Sequence, residues 1–196
     1  MKNKTLGFRV LLPLLLLFSF RLPAAAEVVF QAKVSTLSQV ASSYSEGKES
    51  EGPVELVLPG KLFDPPRAAP LRKKSEADLS TVEEAFATEK SAIIADDEDW
   101  ILSNWVAEER ETIQRFLANG ELRKKNRDFM EQNKDMKISG VVELKGHTLV
   151  LIAGQGMVFT YKNVKGRWLR SNALFADDGF GVVFSAWRLS GKVFER

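Results

Sequence analysis

The chain has 196 residues, of which 44% are hydrophobic and 28% charged, with a formal net charge of +2. That is ordinary globular usage, and it argues against a wholly disordered chain or a multi-span membrane protein. Cysteine is absent and His147 is the single histidine, so disulfides, thiolate chemistry, iron–sulfur clusters and multi-histidine metal sites are excluded.

Residues 1–26 read as a secretory signal peptide. Lys2, Lys4 and Arg9 form a basic start, and an apolar run from Val10 to Phe20 follows. Ala24 and Ala26 fit the small-residue cleavage rule, with cleavage after Ala26. The run is shorter than the roughly 20 residues that span a bilayer. Removing Lys2, Lys4, Arg9 and Arg21, and no acid, leaves 24 basic and 26 acidic residues, a net charge of −2. The expectation is a secreted or periplasmic protein with no membrane span in the mature chain and no nucleic-acid partner.

Residues 27–78 form the next unit. Val28 to Val34 is apolar and β-branched and predicts a short strand. Ser35-Thr36 caps a short amphipathic helix carrying Leu37, Val40, Ala41 and Tyr44. Five of the seven prolines fall between Ser45 and Asp78. Val54 to Leu58 predicts a brief strand, and Gly60 to Lys74 an extended, basic surface arm.

Residues 79–196 form an α+β unit. Ser80-Thr81-Val82-Glu83 reads as a capping box. Val82, Ala85, Phe86, Glu89 and Ile93 then share one side of a helix ending near Ala95. Asp96-Asp97-Glu98-Asp99 caps a second helix with Ile101, Leu102, Trp105, Ile113, Phe116 and Leu117, stopped by Asn119-Gly120. Glu121 to Lys134 predicts a third helix on the surface. From Lys137 the period changes to two. Ile138–Lys145, Thr148–Ala153, Met157–Val164, Trp168–Leu174 and Phe180–Leu189 are five strand candidates, joined by turns that call for an antiparallel meander.

The acidic helix–helix junction Ala95 to Ile101, the helix opening Thr81 to Ala85 and the late turn Lys165-Gly166-Arg167-Trp168-Leu169 together resemble the nuclear-transport-factor-2-like, or ketosteroid-isomerase-like, superfamily over residues 80–189. The resemblance implies helices packed on a curved meander sheet, a cone-like pocket, and an open sheet face that dimerises. That fold hosts isomerases, lyases and hydrolases as well as non-catalytic binding modules, so it does not fix a function. Its enzymes place an acid and a tyrosine in the cone. The mature tyrosines are Tyr44 and Tyr161, and neither stands in a recognisable motif.

Among candidate site residues, His147 and Asp178 are the bases an enzyme would use. Trp168, Arg170 and Asn172 alternate on one predicted strand face, and with Tyr161 they are the candidate ligand contacts. Asp96–Asp99 lacks an EF-hand's glycine and distal glutamate, so it reads as capping and no metal site is expected. Arg123, Lys124, Lys125 and Arg127, interleaved with Glu121, Asp128 and Glu131, read as a solvated mixed-charge face. No cofactor fingerprint is present. The reading is an exported, non-catalytic binding module for a small molecule in the cone or a protein on the sheet. The alternative is an isomerase-, lyase- or hydrolase-type enzyme.

Overall fold

The computed structural model describes residues 26–33, 37, 52–189 and 191–196. The signal-peptide start and the helix expected after Ser35-Thr36 lie outside the described residues. Within them, no helix is long and apolar enough to cross a membrane.

The chain is α+β. It opens with strands β1 (Glu27–Ala32) and β2 (Val54–Ala68). Four helices follow: α1 (Val82–Ile94), α2 (Glu98–Ser103), α3 (Arg110–Ala118) and α4 (Gly120–Gln132). Then come β3 (Lys137–Leu144), β4 (His147–Ile152), β5 (Met157–Val164) and β6 (Arg167–Arg170), helix α5 (Asp178–Arg188) and β7 (Lys192–Glu195). The seven strands form one open sheet in the order β6-β5-β4-β3-β2-β1-β7, antiparallel throughout.

Two hairpins are built the same way. Lys145-Gly146 joins β3 to β4 and Lys165-Gly166 joins β5 to β6. All four residues have positive φ (47°, 74°, 54° and 81°). Two-residue turns of that kind match the twist of the flanking strands.

The segment from Gly60, expected as a surface arm, is extended but lies inside the sheet as far as Ala68. β2 pairs with β1 through Val54–Pro59 and with β3 from Gly60 onward, its register shifting between Leu62 and Arg67. Pro65 and Pro66 fall in that interruption, where no ladder amide is required. The strands cross closely at Gly60 and Gly140. A Cβ at Gly60 would lie 2.5 Å from the Val141 carbonyl oxygen, and one at Gly140 2.7 Å from that of Lys61.

Helices cover both faces of the sheet. On β4, Leu149 and Leu151 join a core with α5, while Val150 and Ile152 join one with α1–α4. A strand buried on both sides reads as a continuous apolar run. α1 is almost wholly buried from Ala85 to Ile93, including Thr88, Glu89, Lys90 and Ser91. Each of these polar groups has a partner. Thr88 Oγ1 donates to Asp78 O at 3.0 Å and Ser91 Oγ to Ala87 O at 2.6 Å. Lys90 Nζ donates to Ala69 O and Lys134 O, both at 2.5 Å, tying the end of β2 to the end of α4. Burial lowers the Lys90 pKa, against the pull of Asp135.

Four local expectations change. The fifth strand candidate, Phe180–Leu189, is helix α5. Asp177 caps it, accepting from Gly179 N at 2.9 Å and Phe180 N at 3.3 Å. Its buried Gly179, Val182, Val183 and Ala186 follow helical spacing, so packing overrides the β-branched composition. The cap of α1 is Thr81, whose hydroxyl accepts from Glu84 N at 3.2 Å, while Ser80 donates to Asp78. The helix expected over Ile101–Leu117 is two helices, parted by the Asn104–Glu109 segment that pairs with β6. β6 stops at Arg170, so Asn172 lies in the following loop and not on the strand.

Candidate functional site

A cavity of about 220 Å³ lies between α1–α4 and the sheet. Ile93, Ile101, Trp105, Ile113, Phe116, Leu117, Met130 and Phe159 form its apolar wall. Glu89, Arg170, Asn172 and Asn126 are its polar members.

The sheet register creates the polar floor. Tyr161 lies opposite Arg170 across β5 and β6, so their side chains share the face under α1. Glu89 descends from α1 to meet both. Arg170 Nε lies 3.3 Å from Glu89 Oε1, and the Tyr161 hydroxyl donates to Glu89 Oε2. Their exposures are 3% for Glu89, 1% for Tyr161 and 7% for Arg170, so this ion pair is almost dry.

Arg170 is held from several sides. Its Nη1 donates to Thr160 O and Oγ1, both at 2.9 Å, and to Ser171 O at 3.2 Å. The guanidinium carbon lies 5.0 Å from the Phe159 ring centroid and 5.3 Å from that of Trp105. The Arg170 backbone is fixed as well, its N donating to Asn104 O and its O accepting from Val106 N. Glu109 then clamps the loop, accepting from Ser171 Oγ at 2.7 Å and from Asn172 N at 2.9 and 3.0 Å.

Burial pushes the Glu89 pKa above the ordinary value near 4.5, while Arg170 and the Tyr161 hydroxyl pull it back. A guanidinium does not deprotonate, so a neutral Glu89 would leave a bare cation in the interior. We therefore assign Glu89 as the carboxylate at neutral pH. Burial and the Glu89 charge push the Tyr161 hydroxyl well above 10, so it stays a donor.

Outside the cavity lining, an ion-pair network joins the two charged clusters of the sequence. Arg123 Nε lies 2.6 Å from Asp96 Oδ1, its Nη1 3.1 Å from Glu98 Oε2, and Arg127 Nη1 3.2 Å from Asp96 Oδ2. Lys124 pairs with Asp128 and Lys125 with Glu121 along α4. These contacts fasten α4 to the turn between α1 and α2. Asp97 caps α2, accepting from Trp100 N at 2.9 Å. No cluster of metal-ligand type occurs among the described residues.

The structure places the candidate residues unevenly. Arg170 and Asn172 line the cavity, and Tyr161 sits behind Glu89 beneath it. Trp168 packs at the edge of the same core without lining the cavity. His147 and Asp178 do not line it either. His147 begins β4 with Nδ1 3.2 Å from Lys145 O, and Asp178 opens α5 on the other face of the sheet. Glu89 was missed as a site residue. Its signal was a carboxylate among the apolar positions of α1, between Phe86 and Ile93.

A wider depression of about 460 Å³ lies beyond α2, lined by Lys74, Asp78, Ser80, Trp100, Asn104 and Arg167 among others. Lys74 is paired with Asp97 there, and Asp78 with Ser80. It lacks a buried charged floor, so the smaller cavity is the better candidate despite its size. No protein-family model, curated protein or solved structure matches the chain.

Proposed function

We propose that the chain is an exported, non-catalytic binding protein that holds a small molecule in the cavity between α1–α4 and the sheet. The observation that carries this reading is the charge-compensated Glu89–Arg170–Tyr161 floor inside an apolar enclosure. Small-molecule sites have this composition, mostly apolar walls with a few fixed polar groups. At about 220 Å³ the cavity is below the roughly 300–1,000 Å³ of sites for drug-sized ligands. It exceeds the roughly 150 Å³ that admits a benzene ring, so the ligand is a ring or short chain with a few further atoms. Helices packed over one face of a meander, around a cavity, are also what the nuclear-transport-factor-2-like resemblance implies, and that resemblance remains part of the proposal.

Two features favour a small molecule over the other readings. The second sheet face, where the resemblance would seat a partner copy, is packed under α5. The Glu89 carboxylate is held between Arg170 and the Tyr161 hydroxyl, an arrangement that suits a fixed counter-charge rather than a mobile general base.

Native mass spectrometry of the gently purified protein tests the reading. Extra mass is expected on the wild type and not on Ile113→Trp, which fills the cavity from α3. A wild type that carries no extra mass and takes up no small aromatic probe would overturn it.

A further inference from the structure

We propose that the cavity selects a small ring compound with a neutral carboxamide-type group, an acceptor and a donor side by side, and rejects the matching carboxylate. This deepens the reading of the cavity as a ligand site and rests on it.

Three observations lead there. First, the cation that lines the cavity among the described residues, Arg170, is already neutralised. Arg170 lies 3.3 Å from Glu89, and both are more than nine-tenths buried. A ligand carboxylate would bring a second negative charge into a mostly apolar cavity beside the buried Glu89. Like charges brought together without water are strongly disfavoured.

Second, Arg170 retains donor capacity. Nη1 serves Thr160 and Ser171, Nε faces Glu89 at 3.3 Å without making a hydrogen bond, and among the described residues no protein acceptor is bonded to Nη2. That nitrogen can meet a ligand carbonyl.

Third, Asn172 Oδ1 is buried and has no hydrogen-bond partner. Asn172 follows Arg170 by two residues and lines the same cavity. A buried acceptor without a donor is destabilising, so such a group marks where a partner belongs. A carboxylate has no proton to give it, whereas an amide N–H does. One group thus answers both atoms, its carbonyl taking Arg170 and its N–H giving to Asn172.

Benzamide and benzoate are the matched probes, alike in shape and different in charge and donor. Binding is read by ligand-observed NMR and titration calorimetry near pH 7 on the full folded chain, with Ile113→Trp as the blocked control. Benzamide should bind the wild type and not the control, and benzoate should bind at least about tenfold more weakly. Benzoate binding as tightly as benzamide, and lost in the control, overturns the selectivity and leaves the cavity reading intact. Neither probe binding overturns both.

Glu89→Gln provides a second measurement. It keeps an acceptor for Tyr161 and leaves Arg170 without its counter-charge. Benzoate should then raise the thermal midpoint of the variant more than benzamide does, reversing the wild-type order. An unchanged order refutes the charge argument.

Discussion

Replacing Arg170 by methionine removes the guanidinium from beside a carboxylate that is 3% exposed and keeps most of the side-chain volume. Glu89 is then a buried charge with only the Tyr161 hydroxyl to answer it. Breaking such a pair from one side costs about 3–5 kcal/mol. The Nη1 contacts to Thr160 and Ser171, which share two hydrogens, are lost too, together worth roughly 1–2 kcal/mol. The second change, Glu89→Gln, restores most of the charge component because it neutralises the orphan and still accepts from Tyr161. The Arg170→Met/Glu89→Gln double variant should therefore be more stable than Arg170→Met by about 2–4 kcal/mol, although it carries one more substitution. Urea unfolding followed by fluorescence of the four tryptophans measures the wild type, the two single variants and the double variant. The pH dependence provides a separate check. In Arg170→Met the raised Glu89 pKa makes the native state bind a proton more readily than the unfolded chain. The extra destabilisation should shrink as pH falls from neutral toward the ordinary carboxylate value near 4.5, with no such trend in the double variant. A double variant as unstable as the sum of the two singles would falsify the claim that Glu89 and Arg170 act as a pair.

Three more predictions follow from the scaffold. Asp177→Ala removes the cap of α5 and the ion pair to Lys145, which spans 2.5 Å, and should cost about 1–2 kcal/mol in urea unfolding. Burial works to raise the Asp177 pKa, but Lys145 and the two backbone amides outweigh it. Its stabilisation is therefore present above the ordinary carboxylate range and lost as pH falls through its lowered value. Arg123→Ala should speed amide exchange in α4 while lowering global stability by no more than about 1 kcal/mol, since the pair is partly solvated; 0.5 M salt should shrink the difference. Gly140→Ala forces a Cβ to 2.7 Å from the Lys61 carbonyl oxygen and should lower the thermal midpoint, at about 1–3 kcal/mol, whereas Gly120→Ala, with open space around it, should not.

The strands from Lys137 to Arg170 were legible because their alternation and their Lys-Gly turns agree. Helix α1 was legible from its apolar stripe. The charged clusters at Asp96–Asp99 and Arg123–Arg127 were each readable as structural, but not as partners of each other, since the contact crosses between helices. α5 was misread because Val182, Val183 and Phe184 favour a strand, and only the sheet beneath them selects the helix. β2 was read in part, as a brief strand over Val54–Leu58 and an extended segment from Gly60, because Pro65 and Pro66 signal an arm rather than a paired strand. Their place in a break of the ladder depends on β3, which lies more than seventy residues further on. The site was half legible. Arg170 and Asn172 were reached through a face argument that fails at Asn172, which lies past the strand. Glu89 was placed on the apolar side of α1 but read only as part of the stripe, since it also stands in the polar run Thr88-Glu89-Lys90-Ser91. Such a run ordinarily faces water, and only the segments covering α1 from both sides bury it.

β7 lies beside β1, so Val28 pairs with Glu195 and Gln31 with Lys192. Closing that ladder brings together residues roughly 170 apart in the chain. By loop entropy it costs only about 2–3 kcal/mol more than closing a ten-residue hairpin. The penalty falls mainly on time, because such a pairing must wait until the intervening chain is organised. Until then β1 presents an unpaired edge carrying Val28, Val29 and Phe30, which are fully buried once the ladder forms. The interval between making the meander and docking β7 is therefore when this chain is most exposed to aggregation, and a holdase acting on the unfinished edge would protect it then.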